Sequence, residues 1–265
     1  LRLSSPPAFK NNFLNSNSHL EDDLPLVGSS PVMQNVYHIL SKVINTDFNI
    51  LIEGKSGTGK NLVASVLHNF GTVRDKSFLS VNLSLISLKE VQNIFSKKFE
   101  SDSDEIVGTL FLDEINDANI DVQNFILSVL NKRESVEKGY ENFKIVSSSR
   151  LDLKEAVENG RFREDLYYRL NEVSITIPTL EERLGDIPEL AAHFLKEFSK
   201  NGMETKSLTK NSIELMKRKK WSGNVRELRN FIGRLSLVSS ADIIDEKITR
   251  HELSMIIPEK TNLSA

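Results

Sequence analysis

Residues 54–61 read G-K-S-G-T-G-K-N, and G-x-x-x-x-G-K is a pattern with a definite chemistry. Glycines let successive backbone N–H groups turn inward around phosphate oxygens, a following helix presents its positive end, and Lys60 adds a point charge at the β/γ-phosphates. Gly54, Lys55, Ser56, Gly57, Thr58, Gly59, Lys60 and Asn61 are therefore the candidate phosphate-binding residues. Asn61 stands where a Ser or Thr usually closes the pattern, and its amide cannot supply the usual metal-ligating hydroxyl. The bland alternative is a glycine turn between a strand and a helix. Residues 110–114, L-F-L-D-E, form the second half of the constellation. A buried strand ending in two acids sets carboxylates at the carboxyl edge of a sheet, where parallel α/β folds keep their ligands. There Asp113 would hold Mg²⁺ directly or through water, and Glu114 would polarise an attacking water. By itself such an end is more often a solvated strand terminus; a phosphate loop upstream reverses that preference.

These residues need a strand before the loop and a helix after it. F-N-I-L-I-E (48–53) is an apolar run ending at the glycine turn, and Leu62, Val63, Val66, Leu67 and Phe70 recur at helical spacing. Residues 78–82, 109–112, 143–147 and 173–177 read as further buried strands. A helical stretch spans 85–95, and Val122, Phe125, Ile126, Val129 and Leu130 mark a helix face. Strands and helices alternating at this length predict an α/β fold, a parallel sheet covered by helices on both faces. After Pro178 no strand-like run is evident. Ile187, Leu190, Phe194, Leu195 and Phe198, then Val225, Leu228, Phe231, Ile232 and Leu235, predict a smaller all-helical C-terminal domain. The expected organisation is a linker at 1–24, an α/β nucleotide-binding domain at 25–178 and a helical domain at 179–265. The first stretch mixes Ser, Asn, Pro and acids without a period, and Leu1 is no initiator methionine, so it reads as a connector from an upstream domain.

Composition bounds the remaining options. The 265 residues carry 39% hydrophobic side chains, enough for a sizeable core, and Lys+Arg 34 against Asp+Glu 37 gives −3, which excludes a composition-level basic surface for nucleic acid. With no cysteine there is no disulfide scaffold, thiolate metal site or cysteine nucleophile. No apolar run approaches the roughly 18 residues of a membrane span, so no membrane partner is expected and the chain reads as cytoplasmic.

Seven blocks in order resemble the AAA+ ATPase domain of bacterial enhancer-binding proteins, the NtrC/NtrX-like response regulators that activate sigma-54 RNA polymerase. They are V-G-S-S-P-V-M-Q (27–34), the phosphate loop, G-T-L-F-L-D-E-I (108–115), D-V-Q (121–123), G-R-F-R-E-D-L-Y-Y-R-L-N (160–171), L-E-E-R-L-G-D-I-P (180–188) and W-S-G-N-V-R-E-L-R-N (221–230). The resemblance implies ATP or ADP with Mg²⁺, and a homo-oligomeric ring of six or seven subunits. It places Val27 and Gly28 beside the adenine, and makes Arg163 and Arg169 arginine fingers toward the neighbouring subunit's γ-phosphate. It makes Arg226 a sensor contacting nucleotide in its own subunit, Ser149 the hydroxyl of a sensor strand end, and Asn82 the side chain that holds Glu114. DNA would be bound through a C-terminal domain outside this sequence.

The departures are informative. No G-A-F-T-G-A lies between Asn82 and Gly108, where the family carries its sigma-factor loop, so direct sigma-54 contact is expected to be lost. Asn61 stands for Glu, Arg150 for the sensor amide and Ser222 for a proline. Intact Glu114, Arg163 and Arg169 favour ATP hydrolysis. Asn61 and Arg150 favour the alternative, a nucleotide-switched oligomerisation scaffold with negligible turnover. A small-molecule kinase is the weakest reading, since the helical domain matches a sensor module. Read without the family, the charges of 161–169 would be a solvated helix face, and Arg226 could pair with Glu227.

Overall fold

The computed structural model describes residues 26–84, 86–100, 106–136, 140 and 143–256. The α/β unit runs α1 (Pro31–Val43), β1 (Ile50–Glu53), α2 (Lys60–Asn69), β2 (Ser77–Asn82), α3 (Leu88–Phe95), β3 (Val107–Asp113), α4 (Ile120–Glu134), β4 (Lys144–Ser149), α5 (Leu153–Glu158), α6 (Glu164–Leu170) and β5 (Val173–Thr176). The five strands form one sheet in the order β2-β3-β4-β1-β5, with every pairing parallel.

Side chains on a strand alternate between faces, and each central strand feeds two cores. Leu51, Leu110, Leu112 and Ile145 point to one face, against α3 and α4 residues such as Val91, Phe95, Val122 and Ile126. Ile50, Ile52, Phe111 and Val146 point to the other, against α1 and α2 residues such as Met33, Leu40, Val63 and Leu67. Burial on both faces explains why β3 reads as a near-continuous apolar run in the sequence, whereas β4, equally buried, ends in three serines. The buried Lys144 donates from Nζ to the carbonyls of Val43, Ile44 and Thr46, closing the end of α1, and burial pushes its pKa down to about 8.

The helix expected over 85–95 begins at Leu88, because Ser87 and Glu90 form a capping box: the Glu90 N–H donates to Ser87 Oγ, and the Ser87 N–H donates to Glu90 Oε2. Leu85 lies outside the described residues. After α3 the chain continues as one π-helical turn, Ser96–Glu100. Phe95 and Phe99 are both buried, and Phe99 packs on Phe95, Tyr140 and Phe143 with ring centroids 5.0 to 5.3 Å apart. Neither ring is an exposed substitute for the sigma-factor loop tip. Phe99→Ala is expected to cost about 3–5 kcal/mol of stability in urea unfolding; unchanged stability would place the ring outside the core.

The second unit groups residues 27–30 with those from 180 onward. It contains α7 (Ile187–Lys200), β6 (Ser207–Leu208), α8 (Lys210–Arg218), α9 (Asn224–Val238), β7 (Ile243–Ile244) and α10 (Glu246–Ser254). Its core centres on Trp221, Phe231, Leu228 and Ile187. Two points differ from the expected organisation. The parallel β6–β7 pair interrupts the all-helical reading, and two-residue strands are too short to show a period. Val27 and Gly28, expected in the α/β domain, belong with the helical unit. Val27 packs on its core, while the N–H groups of Ser29 and Ser30 and the Ser30 hydroxyl all donate to Asp186. Among the described residues no helix is long and apolar enough to cross a membrane.

Candidate functional site

The carboxyl ends of β1, β4 and β3 lie side by side in the sheet, which sets the loop after β1 on the same edge as the acids ending β3. Gly59 has φ 111°, a left-handed conformation that strains any other residue. A Cβ on Gly54 would lie 2.9 Å from Thr58 Oγ1 and 3.0 Å from the Ile177 carbonyl, so only glycine fits the approach of loop to β5. Thr58 is buried and its hydroxyl donates to the Lys55 carbonyl at 2.8 Å, tightening the loop. Lys55 and Ser56 form its exposed crest. No side chain caps the start of α2, which leaves its first N–H groups facing the loop's concavity.

Lys60 opens α2. A phosphate-loop lysine is expected to face solvent or ligand; here it is only 5% exposed, with Nζ 3.0 Å from the Gly54 carbonyl and 3.4 Å from Glu114 Oε1. The ammonium folds back on the loop because a buried charge needs a carbonyl and a carboxylate around it.

Asp113 is gripped by three donors. Ser148 Oγ donates to Oδ1 at 2.5 Å, and the amides of Asn82 and Asn61 donate to Oδ2 at 3.2 and 3.3 Å. Asn82 thus engages Asp113, in place of the expected Glu114. The register explains it: Asn82 pairs directly with Asp113 across β2 and β3, whereas Glu114 leaves the strand in a left-handed turn at φ 54°. Glu114 donates its N–H to Ser148 Oγ, and its carboxylate sits between two cations, Lys60 at 3.4 Å and Arg150 Nε at 3.8 Å. Its Oε2 is buried without a hydrogen bond. Ser149 turns away toward Asn116 and the Leu151 carbonyl.

The chemistry of this set fits Mg²⁺. Among the described residues no group of three or more acids or histidines is arranged to hold a metal ion by itself, and a single carboxylate supplemented by phosphate oxygens and water is how Mg²⁺ is commonly held beside nucleotides.

The two finger candidates lie at the two ends of α6, Arg163 just before it and Arg169 in its last turn. Arg163, preceding its first residue, makes two bonds to Asp165 at 2.6 and 2.9 Å and a third to Asn124 at 2.8 Å. The side-chain hydrogen bonds raise the Arg163 pKa and lower that of Asp165. Arg169 reaches Asn131 at 2.6 Å and Glu134 at 3.1 Å. Both arginines therefore rest on acids of their own chain. In the second unit Arg226 lies exposed in the first turn of α9. The local partner suggested for it, Glu227, is engaged by Lys219 at 2.7 Å and by the Gly223 N–H.

Residues 26–101 and 98–176 match the sigma-54 interaction domain, and residues 181–263 match the AAA+ ATPase lid domain. The chain belongs to the sigma-54 interaction domain family of AAA+ ATPases. Among similar proteins, the DNA-binding transcriptional regulator NtrC of Rhizobium meliloti (strain 1021) is 38% identical over 266 residues, covering 91% of this chain and 54% of the relative. Crystal structures of NtrX from Brucella abortus match in complex with ADP and with ATP, each at TM-score 0.73. Their identities are 29% and 28%, covering 87% and 92% of this chain and 56% and 59% of those chains. This chain spans about half the length of the NtrC relatives it matches.

In this sigma-54 interaction domain the sheet edge brings together Lys60, Asn61, Asn82, Asp113 and Glu114. Ser148, which sequence reasoning did not assign to the site, joins them, as does Arg150, read from the sequence only as a departure at the sensor amide. Ser148 bridges the Asp113 carboxylate and the Glu114 backbone, and the available signal was a run of three serines ending a central strand. Arg150 reaches Glu114, and the signal was a charge replacing the family's amide.

Proposed function

We propose that this chain is the ATP-binding and ATP-hydrolysing central domain of an NtrC/NtrX-like transcriptional regulator, working as a ring subunit. The observation that carries this reading is the convergence of Lys60, Asp113 and Glu114 within one network at the carboxyl edge of the sheet. The loop N–H groups and Lys60 bind the β- and γ-phosphates. When bound, Mg²⁺ would be held by Asp113 and would neutralise phosphate charge. Ser148, Asn82 and Asn61 orient the Asp113 carboxylate, and Glu114 orients and polarises the attacking water. Arg163 and Arg169 exchange Asp165 and Glu134 for the γ-phosphate of the neighbouring subunit, where a planar guanidinium matches charge spread over phosphoryl oxygens. Val27, Gly28 and Arg226 contact nucleotide in their own subunit, as the family resemblance implies. DNA is bound through a domain outside this sequence.

The second reading, a nucleotide-switched scaffold with negligible hydrolysis, is favoured by one observation, the Arg150 cation beside Glu114. A phosphate-release assay separates the two: the first expects ATP-dependent release that rises with protein concentration, and the second expects binding without release. Because G-A-F-T-G-A is missing and Phe95 and Phe99 are committed to the core, we also expect no stable complex with sigma-54 in a pull-down with ADP and aluminium fluoride. A co-complex would show that another surface does the docking.

A further inference from the structure

We propose that Arg150 is a positioning residue that brakes Glu114, and that Asp117 controls the brake by competing for the same guanidinium. The inference rests on the reading of Glu114 as the group that polarises water.

Arg150 follows the last residue of β4, and its N–H donates to Asn116 Oδ1 at 3.1 Å, which fixes its backbone against the 3₁₀ turn Ile115–Asp117. From there one guanidinium spans two acids at the two ends of that turn, Glu114 before it and Asp117 as its last residue. Nη2 lies 2.8 and 2.9 Å from the two carboxylate oxygens of Asp117, and Nε lies 3.8 Å from Glu114 Oε2. The first contact is hydrogen-bonded. The second is an ion pair about 1 Å longer than an N–H···O bond.

That gap falls on a buried carboxylate oxygen with no hydrogen-bond partner, Glu114 Oε2. An unsatisfied buried oxygen beside a five-donor fork is out of balance, since closing the gap would complete a charge-assisted bond. Asp117 is what holds the fork back. Arg150 is half exposed, so a shift of this size requires no repacking of the core.

The consequence concerns water. While Asp117 holds Arg150, Oε2 keeps its lone pairs unshared and the Glu114 carboxylate stays free to turn toward a water. When Arg150 moves onto Glu114, a lone pair is taken and the carboxylate is pinned. Lys60, the other cation beside Glu114, is the residue assigned to the phosphates. As it turns to them, the hold on Glu114 passes to Arg150. Substitutions at the two ends of the fork should therefore act in opposite directions.

The test uses the full chain with ATP, measuring phosphate release for R150Q, D117N and the double variant, with thermal melts to confirm folding. R150Q is expected to raise kcat about threefold, the scale of a partly exposed ion pair, with the KM for ATP essentially unchanged. D117N is expected to lower kcat by a similar factor, and the double variant to match R150Q, because Asp117 acts only through Arg150. A merely structural role for either residue would lower both single variants and worsen the double. An R150Q that is unchanged or slower, or a D117N effect that persists without Arg150, overturns the brake while leaving the ATPase reading intact. If wild type binds ATP without turnover, R150Q is expected to release it. Silence in every variant with ATP bound overturns both the brake and the hydrolytic reading, and absence of ATP binding in a calorimetric titration overturns the nucleotide assignment itself.

Discussion

Arg169→Ala is expected to leave ATP bound and to lower phosphate release by about 10³-fold or more, the scale of an arginine finger. Its fold should be unaffected. The side chain is 34% exposed and rests on Asn131 and Glu134, contacts of the kind worth about 0–1 kcal/mol at a surface. The decisive form of the experiment is a mixture. An Arg169→Ala subunit retains Glu114, and a Glu114→Gln subunit retains Arg169, so a site between the two, in the right order, has every part. In randomly mixed rings at equal amounts, about a quarter of the sites are complete, and activity should reappear from two inactive proteins. No recovery, or a specific activity flat across a hundredfold dilution, would mean that the arginines act within their own chain.

Glu114→Gln is expected to keep nucleotide affinity while phosphate release falls by about 10²-fold or more, the scale for a positioned base. Glutamine preserves the size and the contact with the Ser148 hydroxyl, which comes from the backbone N–H, but removes the charge that orients water. Unchanged turnover would move the role to another group. Loss of binding would instead make Glu114 a support for Lys60, whose ammonium lies 3.4 Å from it.

The parts of the site legible in the sequence are those set by local chemistry. Gly54 and Gly59 are demanded by backbone geometry within one loop, and the Asp113-Glu114 pair follows a strand whose burial is visible in its composition. β1 and β3 were legible for the same reason, as apolar runs covered on both faces, whereas the edge strands β2 and β5 are only partly buried. What escaped depends on strand order and register, which no single segment encodes. Asn82 was expected at Glu114, but parallel pairing of β2 with β3 sets it opposite Asp113. Ser148 reaches the acids because β4 lies between β1 and β3, and the string V-S-S-S does not say which of its serines faces them. The fold-back of Lys60 onto Gly54 and Glu114 likewise requires knowing which strand ends are neighbours. In the second unit, β6 and β7 are two residues each and leave no pattern to read.

The central claim is that the loop at 54–61 binds the phosphates of ATP through Lys60. Calorimetric titration of ATP with Mg²⁺ into wild type and Lys60→Ala, both shown to be folded by circular dichroism, tests it most directly. The account predicts one nucleotide per wild-type chain and an affinity at least about tenfold weaker in the variant, a difference on the order of 1.4 kcal/mol; equal affinities in the two proteins would contradict it.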